Sequence, residues 1–66
     1  MTVILNGKPH PAAGLATVSD LLASIGFADR PVVVELNREA LLPREHATRQ
    51  LKDGDILEVV QITAGG

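Results

Sequence analysis

Short apolar segments separated by turn-forming residues dominate the first part of the chain. Residues 2–5 (TVIL) are apolar and largely β-branched, and they lead into an Asn-Gly dipeptide, which tolerates the positive φ angles of a tight hairpin turn. We therefore predict a first β-hairpin whose second strand covers residues 8–12. Because Pro9 and Pro11 cannot donate backbone hydrogen bonds, we expect this second strand at a sheet edge.

The pattern then changes to the period of an α-helix. Apolar residues recur at spacings of three and four positions, as on one face of a short amphipathic helix: Val18, Leu21, Leu22 and Ile25. Thr17, with Asp20 three positions later, is typical of a helix N-cap with an acidic first turn. Gly26 suits the left-handed residue that ends many helices, and Pro31 prevents the helix from continuing.

The second half of the chain again has the character of β-strands. Three strands are predicted, at residues 32–36, around Leu41 and Leu42, and at residues 56–61. Polar turns are expected at residues 37–39 and 52–55, and the polar segment 44–50 has no regular period. The order of a hairpin, a helix and three strands predicts an α+β domain in which one helix covers one face of a mixed sheet.

Side-chain alternation along two of these strands separates a core face from an exposed face. The residues expected to face the core are Val32, Val34, Leu36, Leu57 and Val59. Val33 and Val60 then point outward, with Ile56 as a further candidate. We predict that Val33, Val60 and Ile62 form an exposed apolar patch that docks partner proteins; the alternative is that the helix or an edge loop covers them.

Composition narrows the possible functions. A chain of 66 residues has room for one domain with one modest core. The net charge of -2 and the single aromatic residue leave neither a basic surface nor a stacking platform, so nucleic acid is not an expected partner. The absence of cysteine excludes disulfides, thiolate metal sites and thiol nucleophiles on this chain. With no signal peptide and no apolar run of membrane-spanning length, we expect a cytoplasmic protein that does not bind membranes.

The polar residues indicate no catalytic or metal site. His10 and His46 lack neighbours at ligand spacing, and we expect both to be exposed to solvent. No Ser-His-Asp set, carboxylate pair or phosphate-binding glycine loop is present, so we do not expect the chain to be an enzyme. The acidic residues Asp53, Asp55 and Glu58 either complement a basic surface on a partner or form a solvated face.

The segments VELN, LKDGD and LEVV and the final Gly65-Gly66, in this order, resemble the sulfur-carrier branch of the β-grasp, or ubiquitin-like, proteins. The likeness is greatest to the ThiS-type sulfur carriers of bacterial thiamine biosynthesis, and it extends over essentially the whole chain. It implies a β-grasp domain at residues 1–62, with four to five strands in a mixed sheet under one helix, and a flexible tail at residues 63–66. In that tail, Ala64 stands where many relatives carry another glycine.

The resemblance also implies that the functional group is the carboxylate of Gly66. In similar proteins a ThiF-type, E1-like enzyme uses ATP to adenylate that carboxylate, and the carrier itself binds no cofactor. The adenylate is converted to a thiocarboxylate with sulfur from a donor such as a cysteine desulfurase, and a ThiG-type thiazole synthase receives the sulfur. Gly65 and Ala64 would thread a narrow channel of the partner, and the apolar patch would dock the activating enzyme and the synthase.

Two other classes of function stay open. The small subunit of molybdopterin synthase uses the same sulfur chemistry with a different acceptor, although the VELN and LKDGDILEVV segments and the short length favour the thiamine branch. A ubiquitin-like modifier would instead be ligated to lysine side chains. A β-grasp interaction module would not use its last residues at all.

Overall fold

The computed structural model describes residues 1–63. The predicted tail residues Ala64, Gly65 and Gly66 lie outside the described residues. The described chain contains strands β1 (Thr2–Leu5), β2 (Lys8–Pro11), β3 (Val32–Leu36), β4 (Glu39–Leu41) and β5 (Ile56–Gln61), helix α1 (Val18–Ser24), and a single 3₁₀ turn at Pro43–Glu45.

The five strands form one mixed sheet in the order β2-β1-β5-β3-β4. The central strand, β5, is parallel to β1 and antiparallel to β3, and both hairpin pairs are antiparallel. This architecture confirms the predicted α+β fold with one helix and a mixed sheet. The proline-containing strand β2 lies at a sheet edge, as expected from its two missing backbone donors.

Each hairpin turns through two residues with positive φ angles. Asn6 and Gly7 have φ angles of 49° and 84°, and Asn37 and Arg38 have φ angles of 51° and 68°. Two such residues in succession are required by a type I′ turn, whose twist matches that of the flanking strands. The second turn is one residue shorter than predicted, because Glu39 already belongs to β4.

Helix α1 begins as predicted, with a reciprocal cap. Thr17 Oγ1 accepts a hydrogen bond from the Asp20 N–H at 3.2 Å, and the Asp20 carboxylate accepts from the N–H groups of Ala16 at 2.9 Å and Thr17 at 3.1 Å. The bonds from Ala16 and then Thr17 hold the pKa of Asp20 below its ordinary value of 3.8, because they stabilise the charged form. The helix ends at Ser24, one residue before the last apolar residue of the predicted pattern. Ile25 is the C-cap, and Gly26 follows with a φ of 85°.

The core lies between α1 and one face of the sheet. Its buried apolar residues are Val3, Ala12, Val18, Leu21, Leu22, Val34, Leu36, Leu41, Leu51, Leu57 and Val59. All of the residues predicted to face the core do so, although Val32 is only partly buried. Within residues 1–63, no helix is long and apolar enough to cross a membrane.

Candidate functional site

Strand β5 carries the chain from the centre of the sheet towards the predicted tail. It is flanked on one side by β1 and on the other by β3. Its pairing with β3 continues past the strand end, where the Ile62 N–H donates to the Pro31 carbonyl at 2.8 Å. The base of the tail is therefore held to the sheet as far as Ile62.

The Asn6 side chain extends the pairing of β5 with β1. Strand β1 ends at Leu5, and Asn6 is the first residue of the hairpin turn. Its N–H donates to the Leu57 carbonyl at 2.9 Å. The side-chain amide bonds to Val59, two residues further along β5. Val59 N–H donates to Asn6 Oδ1 at 2.8 Å, and Asn6 Nδ2 donates to the Val59 carbonyl at 3.2 Å. This amide satisfies two part-buried backbone groups that β1 is too short to reach.

Asn37 plays the matching role at the start of β5. Ile56 N–H donates to Asn37 Oδ1 at 3.0 Å, and Asn37 Nδ2 donates to Asp55 Oδ1 at 3.0 Å. The other carboxylate oxygen of Asp55 accepts from the Lys52 N–H at 2.7 Å. The first residue of each hairpin turn thus uses its side chain to position β5.

These contacts correct part of the prediction for the acidic residues. Asp55 is buried, and its two oxygens accept hydrogen bonds from the Asn37 side chain and the Lys52 N–H, so it cannot face a partner. Asp53 accepts a hydrogen bond from the Thr2 N–H at 2.9 Å. Glu58 alone of the three lies on a strand with its side chain directed to the exposed side of the sheet.

We call the side of the sheet away from α1 the open sheet face. Val33 and Val60 are direct cross-strand partners on this face, and their exposed fractions are 46% and 62%. Ile56 is also exposed. Neither the helix nor a loop covers these three side chains within the described part of the chain, as side-chain alternation predicted. Their role in docking stays a prediction.

Ile62 lies beyond the end of β5 and is 49% exposed. It lines a groove that also includes Phe27, Val32 and Pro43 and that reaches helix α1. The prediction of one apolar patch is therefore wrong for Ile62, which lies at the same end of the sheet as Val33 and Val60 but lines a groove on the helix side.

The two histidines are less exposed than predicted. His46 lines the same groove, and its Nε2 atom is inaccessible to solvent and has no hydrogen-bond partner among residues 1–63. His10 lies opposite Val3, on the core side of the sheet, and is partly buried. No group of three or more potential metal ligands occurs in the described chain.

Comparison with known proteins covers nearly the whole sequence. The model of the ThiS family matches residues 3–66. The chain is 44% identical over 64 residues to the sulfur carrier protein ThiS of Thermus thermophilus, with 97% of this chain and 98% of that protein covered. It is 36% identical over 66 residues to a thiazole synthase of Magnetococcus marinus; that match covers all of this chain and 20% of the synthase. The crystal structure of the thiamine biosynthesis protein ThiS from Geobacter metallireducens has a TM-score of 0.82 and 35% identity, with both chains fully covered.

Proposed function

This chain belongs to the ThiS family, and we propose that it is a sulfur carrier protein that supplies sulfur for the thiazole of thiamine. The matches confirm the family resemblance inferred from the sequence. The observation that carries the proposal is the 44% identity to a sulfur carrier protein over nearly the full length of both chains. A carrier is a substrate of other enzymes, so its own residues have to present the reacting group and bind the partners.

The reacting group in this proposal is the carboxylate of Gly66. A carboxylate is a poor electrophile, because its charge is delocalised and it has no good leaving group. An E1-like adenylating enzyme would use ATP to join the carboxylate to AMP, with release of pyrophosphate. The terminal sulfur of a donor persulfide would then attack the carbonyl carbon and displace AMP. A thiol would cleave the resulting acyl disulfide, leaving a thiocarboxylate on Gly66 and a disulfide on the donor.

The sulfur would remain at that position because the chain offers no competing acceptor. With no cysteine in the sequence, the thiocarboxylate cannot exchange with an internal thiol. A cysteine desulfurase is the class of enzyme that would supply the sulfur. Gly65 and Ala64, which carry no side chain or only a methyl group, would allow the tail to enter a narrow active site.

A thiazole synthase is the acceptor that we propose. The whole of this chain is similar to one fifth of the Magnetococcus marinus synthase, which indicates that a domain of this type occurs within a synthase chain. The firm attachment of β5 up to Ile62 would give the tail a defined starting point. The exposed Val33 and Val60 would form the docking surface on the open sheet face, and Ile62 would contact the partner from the helix side at the same end of the sheet.

The test is the intact mass of the chain after incubation with an E1-like adenylating enzyme, ATP, a cysteine desulfurase and cysteine. We expect a mass gain equal to the replacement of one oxygen atom by sulfur, and no gain when ATP is omitted. Addition of a thiazole synthase and its other substrates should return the mass to its starting value.

A variant that lacks Gly66 is the matched control, and it should gain no sulfur. An unchanged mass of the intact chain would contradict the proposal. Higher-mass covalent adducts would instead indicate a protein modifier. Loss of the sulfur to a molybdopterin precursor, but not to the thiazole synthase, would identify the alternative acceptor.

A further inference from the structure

Two glutamates stand opposite each other in the middle of the open sheet face. Glu35 of β3 and Glu58 of β5 are direct antiparallel partners, and both are exposed. Like charges directly opposite each other on a sheet destabilise it. The pair therefore works against folding.

Among residues 1–63, no cation forms an ion pair with either glutamate. Among the strand residues directed to that face, these two glutamates are the only ionisable side chains; the others are Thr2, Ile4, Pro9, Pro11, Val33, Ala40, Ile56 and Val60. The ion pairs found within residues 1–63 involve Arg49 with Glu39 and Glu45. Glu39 lies opposite Leu36, on the core side of the sheet.

Apolar side chains border the glutamate pair at both ends. Towards the tail lies the Val33–Val60 pair, and Leu42 continues β4 with an extended backbone on the same side. Towards the other end lies Ile56, in register with Ile4. The open sheet face thus consists of a central acidic pair with apolar surface on either side of it.

We propose that a thiazole synthase docks on the open sheet face by placing one basic side chain, an arginine or lysine, between Glu35 and Glu58, with apolar side chains covering Val33 and Val60. This inference rests on the proposed function and adds the chemistry of the contact. Apolar cover would remove water from around the acidic pair, and a charge-assisted bond strengthens as water is excluded. A cation between the carboxylates would also relieve their mutual repulsion.

Two observations favour a thiazole synthase as the occupant. The whole chain matches a segment within a thiazole synthase, so a domain of this type and a synthase share one polypeptide in that relative. The face is also complementary in charge to a basic group, since neither glutamate forms an ion pair with a cation among residues 1–63.

The test is the dissociation constant of the complex between the full chain and a separate thiazole synthase, measured by titration calorimetry. We expect Glu35→Gln and Glu58→Gln each to weaken binding by about tenfold or more. Asp29→Asn removes the same charge from an exposed turn whose neighbours Ala28 and Arg30 line the groove on the helix side, and it should leave binding unchanged. Added salt should weaken binding of the wild-type chain more than that of the Glu35→Gln/Glu58→Gln double variant.

Glu35→Lys separates the docking role from any effect on folding. It places a lysine opposite Glu58, so the variant should be at least as resistant to urea as the wild-type chain. Its affinity for the synthase should nevertheless fall more than that of Glu35→Gln, because the lysine would repel the basic group of the partner.

The outcomes distinguish this inference from the proposed function. If the wild-type chain forms a thiocarboxylate and binds the synthase, but the glutamate variants bind equally well, the basic contact is wrong and the carrier function stands. If the glutamate variants bind the E1-like enzyme more weakly but bind the synthase as well as the wild-type chain does, the assignment of this surface to the synthase is wrong. If the wild-type chain neither gains sulfur nor binds the synthase, the proposed function itself fails.

Discussion

The role of Asn6 can be tested by replacing it with glycine. Glycine adopts the positive φ angle of this position without strain, so Asn6→Gly removes the amide and leaves the hairpin turn intact. The two hydrogen bonds to Val59, at 2.8 and 3.2 Å, are lost. The variant thus isolates the contribution of the side chain to the attachment of β5.

The expected loss follows from those two bonds. Each intramolecular hydrogen bond contributes about 1 kcal/mol net, so the free energy of unfolding should fall by about 2 kcal/mol. A domain of this size has a total stability of about 5 kcal/mol, and a loss of that size is readily measured. Asn6→Ala should lose about 1 kcal/mol more, because a side chain with a Cβ atom is strained at this φ angle.

The assay is urea denaturation followed by circular dichroism, with hydrogen exchange of the Val59 amide as a local measurement. Asn6→Asp is the matched variant: it keeps an acceptor for the Val59 N–H and loses the donor to the Val59 carbonyl, so an intermediate loss is expected. If the free energy of unfolding of Asn6→Gly lies within about 0.5 kcal/mol of the wild-type value, the Asn6 amide does not hold β5 in place.

Three further predictions test the core, the helix cap and the tail. Leu21→Ala should lower the free energy of unfolding by about 3 kcal/mol, since Leu21 is fully buried. Val60→Ala, at an exposed position, is the control. A loss below about 1 kcal/mol for Leu21→Ala would contradict the assignment of Leu21 to the core. The lowered pKa of Asp20 means that its stabilising effect is complete above its unfolded pKa and is lost as the pH falls through the folded pKa. Urea denaturation at several pH values should show that the wild-type chain has a higher free energy of unfolding than Asp20→Asn at neutral pH, and that this difference shrinks only below about pH 4. A difference that stays constant down to acid pH would refute this prediction. Gly65→Ala should leave the urea midpoint unchanged but lower the yield of thiocarboxylate by intact mass, and a normal yield would rule out threading through a narrow channel.

Local patterns were sufficient to predict most of the elements. The cap formed by Thr17 and Asp20 and the turn at Asn6 depend on residues only a few positions apart, and both occur as expected. The outward orientation of Val33 and Val60 follows from the period of two in a strand. These features could be derived from sequence because the interactions that create them are short-ranged.

The contacts that hold β5 could not be predicted in the same way. Asn6 and Val59 are 53 positions apart, and their hydrogen bonds exist only because β5 inserts between β1 and β3. The burial of Asp55 likewise depends on Asn37, 18 positions away. For the same reason the Glu35 and Glu58 pair becomes visible only once the register of β3 against β5 is known.

In the proposed function, strand β5 would connect the docking surface to the reacting carboxylate of Gly66. Val60 and Glu58 lie on β5, which ends at Gln61, and residues 62–66 follow it in the chain. In the proposed complex, a partner that covers the open sheet face would therefore also determine where the tail begins. Six residues span at most about 20 Å when fully extended. The active site of a docked thiazole synthase must therefore lie within about 20 Å of the point where it contacts Val60. A synthase with a longer separation between its docking surface and its active site could not receive sulfur from Gly66 in this way.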